Sequence, residues 1–209
     1  MPTVFYLSYA ALWVLLLLQG VLLLLVYRHL GLMVMGTAEG VQRDGLRVGE
    51  LAPALTGVTS SGERVVWDPK AGGAQLVLFA SPDCRPCAQI FPYVSQLATA
   101  RDGRALPVVA VTVGAQAAVA RLEDKFRPPF LCFADEGSQG LSRYRVRVTP
   151  FGFVVSEDGR VLAKGLCSDV RRLRALLDAA GLDGPAALLE PGIELAQRAP
   201  ATQLGSERW

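Results

Sequence analysis

The sequence predicts an α/β fold, a central mixed sheet flanked by helices, with one transmembrane helix before it. Apolar strand-like segments alternate with helix-like segments, which predicts parallel strand pairs. Later in the chain, Glu157-Asp158-Gly159 separates two strand-like segments, and Asp-Gly suits the tight turn of an antiparallel hairpin. Residues 4–27 contain no charged side chain. A run of this length exceeds the roughly 20 residues that cross a bilayer.

The uncharged run divides the chain into four predicted parts. Residues 1–29 are read as an anchor that stays uncleaved, because a secretory signal peptide has a shorter apolar core of about 7–15 residues and a basic start. Residues 30–47 are a polar linker spotted with glycine. Residues 48–183 are the folded domain. Residues 184–209, rich in Pro, Ala and Gly, are predicted as a flexible tail.

Two arguments about the orientation of the anchor point in opposite directions. Arg28 and His29 follow the span, so the positive-inside rule alone favours a cytoplasmic C-terminal domain. Paired cysteines in the domain favour a compartment in which disulfides form. We therefore expect a single-pass membrane protein whose domain lies on the periplasmic or extracellular side.

The domain begins with a predicted hairpin over residues 54–67, where Thr and Val alternate around Ser60-Ser61-Gly62. Two buried strands follow, and each leads into a helix; the strands are residues 76–80 and 108–113, and the helices are residues 88–100 and 115–126. Pro92 interrupts the first helix and is expected to kink it. The second helix ends before Pro128-Pro129 and has an inward face of Ala118, Val119, Leu122 and Phe126.

The rest of the domain is predicted as a short strand, a brief helix, a hairpin and a final helix, at residues 130–133, 138–144, 151–155 with 160–164, and 169–180. Ser168 is the expected N-cap of the final helix and Gly181 its stop. Arg143, Arg145 and Arg147 at alternate positions predict the solvated face of an extended segment. With a formal net charge of +2, the chain gives no reason to expect nucleic-acid binding.

Cys84 and Cys87 stand where a buried strand ends and a helix begins, which is typical of a thiol–disulfide exchange site. Unpaired N–H groups and the helix dipole stabilise an anion at a helix N-terminus, and this lowers the pKa of the first thiol. We therefore predict that Cys84 is the attacking thiolate. Cys87, one turn further on, is the predicted resolving thiol of a short disulfide.

Other uses of a cysteine pair have weaker support. A zinc site needs a second cysteine pair or histidines, and the only histidine, His29, lies in an apolar segment. A Cu(I) chaperone would use the same two thiolates, but Met33 and Met35 lie before the domain, which has no histidine. A purely structural disulfide stays open. We expect no metal, and no cofactor because the sequence has no nucleotide loop and no haem-attachment motif.

Residues 48–181 resemble a thioredoxin-like domain of the membrane-anchored TlpA/ResA type, which also has an extra strand like the one at residues 130–135. The residues that carry the resemblance match the active-site pair, the kink proline and the cis-proline loop of that fold, here Cys84, Cys87, Pro92 and Thr149-Pro150. The resemblance implies thiol–disulfide oxidoreductase activity on the thiols and disulfides of a client protein, with no nucleic-acid partner. It implies client contacts from the residues at the pair and in the loop, Arg85, Pro86, Thr149 and Pro150.

A narrower resemblance is to the methylamine dehydrogenase accessory proteins, MauD. It is carried by the single span and by four short stretches, Ser81-Pro82-Asp83-Cys84, Thr149-Pro150-Phe151-Gly152, Asp158-Gly159-Arg160 and Ala163-Lys164-Gly165-Leu166. It implies a role in maturing a disulfide-rich periplasmic enzyme subunit. The redox partner would be a thiol protein in the membrane or outside the cytoplasm.

Two positions depart from the thioredoxin pattern. Asp83 stands where thioredoxins usually have Trp, and its carboxylate opposes a neighbouring thiolate, whereas Arg85 and the helix dipole favour one. Leu78 stands where thioredoxins bury an acid that moves protons to and from the second thiol. Another acid, Glu63 or Asp68, or water would then take that role.

The two remaining cysteines leave alternatives open. Cys167 follows the last strand near the expected active site and is a candidate additional thiol, with a buried, inert cysteine as the alternative. Cys132 is expected at the opposite edge of the sheet, so we do not pair it with Cys167. The competing function is a redox-inactive, membrane-tethered binding or assembly factor that uses the thioredoxin groove.

Overall fold

The N-terminal apolar run forms a single helix, α1 (Pro2–Val34). The computed structural model describes residues 2–34, 44–70, 72–101 and 103–189. Within α1, Phe5–Leu25 has a mean hydropathy of 2.2 and is not buried, so it is long and apolar enough to cross a membrane. The helix continues past residue 29, where the predicted anchor ends, and residues 35–43 of the predicted linker lie outside the described residues.

The C-terminal unit, residues 45–209, contains a mixed sheet. In the described residues the sheet has seven strands in the order β2-β1-β5-β4-β3-β6-β7. The strands are β1 (Leu55–Val58), β2 (Arg64–Trp67), β3 (Gln75–Ala80), β4 (Val108–Val113), β5 (Leu131–Asp135), β6 (Phe151–Val155) and β7 (Val161–Leu166). The pairs β3–β4 and β4–β5 are parallel and the other pairs are antiparallel, which confirms the predicted mixed sheet.

Helices cover both faces of this sheet. They are α2 (Arg85–Ala98), α3 (Gln116–Phe126), α4 (Gln139–Tyr144), α5 (Val170–Ala179) and α6 (Asp183–Ala187), with a 3-10 turn at Glu136–Ser138. Leu76, Leu78 and Ala80 of β3 belong to a buried core that α2, α3 and α5 share. The helix side chains in this core recur every three or four residues, as an amphipathic helix requires; they are Ile90, Val94, Leu97, Val119, Leu122, Leu173 and Leu177.

An aromatic cluster fills the other face of the sheet. Side chains alternate along a strand, so Phe79 points away from the α2 side. Its ring centroid lies 5.2 Å from that of Tyr144 in α4 and 6.0 Å from that of Phe153 in β6. The Tyr144 hydroxyl donates a hydrogen bond of 2.8 Å to the Pro53 carbonyl, and burial raises the pKa of Tyr144. These contacts hold the start of the unit against the sheet.

Both ends of the domain extend beyond the predicted limits of 48 and 183. At the start, Leu46 is buried, and Gly45 has a φ of 82° and lies so close to the Phe153 ring that a Cβ there would be 2.9 Å from it. At the end, α6 continues the domain into the predicted tail, and Ala186 and Leu189 are buried. The apolar side chains of these segments pack on the core, which explains the difference. The remaining tail, residues 190–209, lies outside the described residues.

Two local predictions differ from the structure. The N-cap of α5 is Asp169 and not Ser168, because the Asp169 carboxylate accepts a hydrogen bond of 3.0 Å from the Arg172 N–H. Arg143 lies in α4 and not in an extended segment. Arg145 then ends that helix in the left-handed conformation, with a φ of 55°.

The position of Cys132 also differs from the prediction. Its strand, β5, lies between β1 and β4 and not at an edge of the sheet. The hairpin of β1 and β2 extends the sheet beyond β5 through the register pair Val58–Ala134. Cys132 and Cys167 are both free and buried, in agreement with the prediction that they do not pair.

Candidate active site

The turn between β3 and α2 places the cysteine pair at the end of the sheet. Cys84 is the N-cap of α2, with extended backbone angles (φ −85°, ψ 115°), and its N–H donates to the Ser81 carbonyl at 3.2 Å. Pro86 follows in the first turn, where a helix needs no N–H donor. Helix α2 therefore begins at Arg85, three residues before the predicted start at residue 88.

Cys84 and Cys87 form a disulfide, with a Cα–Cα distance of 5.2 Å. The backbone N–H of Cys87 donates to the Cys84 sulfur at 3.2 Å, so this sulfur takes the place of a side-chain cap. Cys84 is half-buried, whereas Cys87 is fully buried. An incoming sulfur therefore has access to Cys84 first. In the reduced form, the N–H and the helix dipole would stabilise a thiolate there.

The Thr149–Pro150 loop faces the pair, and its peptide bond is cis. The Thr149 carbonyl oxygen lies 3.5 Å from the Cys84 sulfur. The Pro150 carbonyl accepts a hydrogen bond of 2.9 Å from the Cys167 N–H, which joins the loop to the end of β7. Thr149 is half-buried and Pro150 is buried. The structure thus brings the Thr149–Pro150 loop to the cysteine pair, although Cys84 and Thr149 are 65 positions apart in sequence.

Arg85 and Pro86 lie beside the pair at the surface, with Arg85 exposed and Pro86 half-buried. Both follow Cys84 directly, in the first turn of α2. Within the described ranges no group of three or more His, Cys, Asp or Glu side chains could hold a metal ion. The site is thus a surface disulfide flanked by a cation and two prolines.

Sequence reasoning missed two cations of α3 that reach the turn before Cys84. The Arg121 guanidinium lies 3.1 Å from the Asp83 carboxylate, which faces the solvent with it. Lys125 donates to the Pro82 carbonyl at 3.3 Å. Arg121 partly offsets the charge that Asp83 places beside the thiolate. The signal for these contacts was two basic residues one turn apart on the polar face of a helix.

The predicted substitutes for the missing acid, Glu63 and Asp68, flank β2, which is the fourth strand away from β3 in the sheet order. The Trp67 indole N–H, beside Asp68, donates to the Gln75 side chain at 2.9 Å. Asp68 therefore lies near the start of β3, whereas the cysteine pair follows the end of that strand. Leu78 is fully buried there. A polar group does lie nearer: the Thr112 hydroxyl, in register with Ala80 of β3, is buried and lacks a hydrogen-bond partner among the described residues.

The candidate additional thiol, Cys167, is fully buried behind Gly152, and burial raises its pKa from 9.0 to about 12. Burial raises the pKa of Cys132 to about 12 as well, and Glu123 adds to that effect. Thiols of this kind react poorly because thiolate is the nucleophile. These properties favour the inert alternative for Cys167.

Alkylation of the reduced, native chain at pH 8 is expected to modify Cys84 and to spare the buried Cys87, Cys132 and Cys167, and to modify all 4 cysteines in denaturant. Mass mapping of the alkylated sites measures this labelling pattern. Fast native labelling of Cys167 would contradict its buried position.

Folding also raises the pKa of Cys132 and Cys167 from 9.0 to about 12. The contribution of these two thiols to the stability of the fold is therefore fully present below pH 9 and is lost as the pH rises towards 12.

The fold is shared with solved structures. A candidate DsbE thiol:disulfide interchange protein from Chlorobium tepidum matches with a TM-score of 0.55 and 23% identity, over 69% of this chain and 99% of that chain. This similarity confirms the predicted thioredoxin-like fold. At 23% identity, this similarity shows the shared fold alone.

Two relatives are similar in sequence. The methylamine utilization protein MauD of Methylophilus methylotrophus is 27% identical over 136 residues, which are 64% of this chain and 63% of that protein. The thiol-disulfide oxidoreductase ResA of Geobacillus kaustophilus is 24% identical over 121 residues, 57% of this chain and 70% of that protein. The match therefore spans less than two thirds of the length of the MauD relative. The predicted resemblance to these two groups is confirmed.

A family match covers the same part of the chain. Residues 47–179, which include the cysteine pair and the cis-proline loop, match the family Redoxin. The match spans more than half of the 209 residues and agrees with the sheet, the disulfide and the loop described above. The chain belongs to the Redoxin family.

Proposed function

We propose that the chain is a membrane-tethered thiol–disulfide oxidoreductase that acts on the disulfides of an extracytoplasmic client protein. The observation that carries the proposal is the disulfide at the N-terminus of α2, whose accessible sulfur, Cys84, faces the Thr149–Pro150 loop. Membership of the Redoxin family supports it. So does the similarity to ResA, which is named for this activity.

The reaction is an exchange through a mixed disulfide. In the reducing direction, the Cys84 thiolate attacks a client disulfide, and the client releases its other sulfur as a thiolate. The Cys87 thiolate then attacks the Cys84 sulfur, which forms the internal disulfide and releases the reduced client. The oxidising direction is the reverse. The burial of Cys87 fits the resolving role, because an internal attack needs no access from solvent.

The client is proposed to lie along the loop and the start of α2. Arg85 and Pro86 follow the accessible sulfur in the first turn of α2, and the carbonyl of Thr149, which precedes Pro150, lies 3.5 Å from that sulfur. These four residues are the proposed client-binding residues. A redox-inactive binding factor would use the same four residues.

The client class and the location extend the proposal. Helix α1 is long and apolar enough to act as a single-pass anchor, and disulfide exchange suits the periplasmic or extracellular side. The MauD relative is named for methylamine utilization. We therefore propose maturation of a disulfide-rich enzyme subunit, such as that of methylamine dehydrogenase, with a membrane or extracytoplasmic thiol protein supplying or removing electrons.

The proposal is tested by equilibrating the full chain, in detergent micelles, against glutathione buffers. A reversible disulfide between Cys84 and Cys87 is expected. A potential of about −270 mV would make the chain a reductant, and a potential of about −120 mV would make it a disulfide donor. If no reversible disulfide forms, the oxidoreductase proposal fails and the tethered binding factor becomes the better account.

The location needs a separate experiment. A reporter fused after Trp209 is expected to be active on the extracytoplasmic side of the membrane. Activity confined to the cytoplasm would contradict the proposed location, and the exchange chemistry would then need a cytoplasmic client.

A further inference from the structure

Three cations surround the turn that carries the reactive sulfur. Arg85 follows Cys84 directly and is exposed. Arg121 and Lys125 stand four residues apart on α3, so they lie on the same side of that helix. Both reach the turn, through Asp83 and the Pro82 carbonyl. We call Arg85, Arg121 and Lys125 the basic rim.

The charges of the rim are not cancelled by the turn itself. Asp83 is the acidic residue in the turn, and its carboxylate pairs with Arg121. Lys125 donates to a neutral carbonyl, and its ammonium lies 5.1 Å from the centroid of the Phe126 ring, which is also neutral. Asp83 and the rim together have one negative and three positive charges, and Asp124, an exposed neighbour of Arg121 three residues further along α3, adds a second negative charge. The net charge of these five residues is +1.

The fold has little need for these cations. The side chains of Arg121 and Asp83 are 60% and 72% exposed, and exposed ion pairs contribute about 0–1 kcal/mol to stability. Neutral polar residues at these exposed positions of α3 would be hydrated equally well. A concentration of cations at the reactive end of the domain is therefore better explained by what approaches it.

We infer that the basic rim binds a client segment that has Asp or Glu next to its reacting cysteine, an inference that rests on the proposed function. Such acidic residues raise the pKa of the client sulfur and oppose its departure as a thiolate. The rim offsets that charge as the Cys84–client bond forms and the client S–S bond breaks. It also attracts an acidic segment from a distance, which raises the rate of encounter.

The experiment uses the reduced full chain in detergent micelles and three disulfides in excess. Two are symmetric peptide disulfides that differ only in having Asp or Lys on each side of the cysteine, and the third is the neutral 2-hydroxyethyl disulfide. Each peptide rate is divided by the rate that the same variant shows with the neutral disulfide. We expect the Asp peptide to react about tenfold faster than the Lys peptide, with the ratio falling as salt is added.

Variants of the rim assign the preference to its residues. Arg121→Gln with Lys125→Gln is expected to bring the Asp:Lys rate ratio close to one. The matched control is Arg101→Gln, which removes an exposed arginine after the C-terminal end of α2 and should keep the ratio. Arg85 is left in place, since it belongs to the cysteine motif.

The outcomes separate this inference from the proposed function. Equal rates for the two peptides, or a preference that survives in the double variant, would overturn the basic rim as a client site. Failure of the reduced chain to react with the neutral disulfide would instead count against the oxidoreductase activity, and the inference would fall with it.

Discussion

Replacing Cys87 with Ser will trap the chain in a disulfide-linked complex with its client, and replacing Cys84 with Ser will trap none. Cys84 is the sulfur that an external partner can reach, so it forms the mixed disulfide. Cys87 is fully buried and acts only on the disulfide that Cys84 has already formed. Without Cys87 the intermediate persists. Turnover is expected to fall to the uncatalysed background in both variants.

Non-reducing gels followed by mass spectrometry of the cross-linked peptides measure this outcome. The control is Cys132→Ala, which removes a buried thiol on β5 and should leave trapping unchanged. A complex trapped by Cys84→Ser would reverse the two roles. Client maturation that survives loss of both Cys84 and Cys87 would favour the redox-inactive binding factor.

Gly152→Ala is expected to lower the free energy of unfolding by about 1–3 kcal/mol, the usual cost of overpacking a core. Gly152 lies in β6 between β3 and β7, in the interior of the sheet. A Cβ at this position would lie 2.7 Å from the Cys167 sulfur and 2.9 Å from Leu176 Cδ2. The sulfur belongs to a fully buried residue.

The register pair of Gly152 supplies a matched control. Gly165 on β7 pairs with it directly, and a Cβ there would meet only Leu176 Cδ1, at 4.0 Å. Gly165→Ala should therefore cost much less. Thermal and urea unfolding of the two variants provide the measurement, with each kcal/mol lowering the Tm by about 2–4 °C in a chain of this size.

A second substitution tests the cause of the Gly152→Ala effect. Adding Cys167→Ala removes the sulfur that the new methyl group meets. The double variant is expected to lose less stability than the sum of the two single variants, because the sites share one contact. Simple addition of the two losses would show that the cost comes from another contact, such as that with Leu176.

The reactive residues could be predicted from the sequence because their signals are local. The strand before Cys84, the two-residue spacing to Cys87 and the Thr149-Pro150 pair before a strand each occupy a few adjacent positions. The hydrophobic periodicity predicted the strands and helices around them. The cis bond and the position of the loop opposite the sulfur agree with the resemblance that those residues carry.

Other features depend on tertiary packing and could not be predicted in this way. Asp83 and Arg121 are 38 residues apart, and only the packing of α3 brings them together. Ser168 and Asp169 are both good N-cap residues. The choice between them follows from the extended backbone of Asp169 (φ −152°), which the chain adopts as it leaves β7. The burial of Gly45 likewise depends on the rings of Phe151 and Phe153, which come from a distant strand.

The burial of Cys132 and Cys167 has a consequence for how the chain matures. Four cysteines can join in three ways, and two of those ways would leave the reactive pair split. The productive bond closes a sequence separation of only 3 residues, which costs the least chain entropy. Once the core has formed, the other two sulfurs are hidden from oxidants. In a compartment that makes disulfides, collapse before oxidation therefore protects this chain from the chemistry that it is proposed to perform on others.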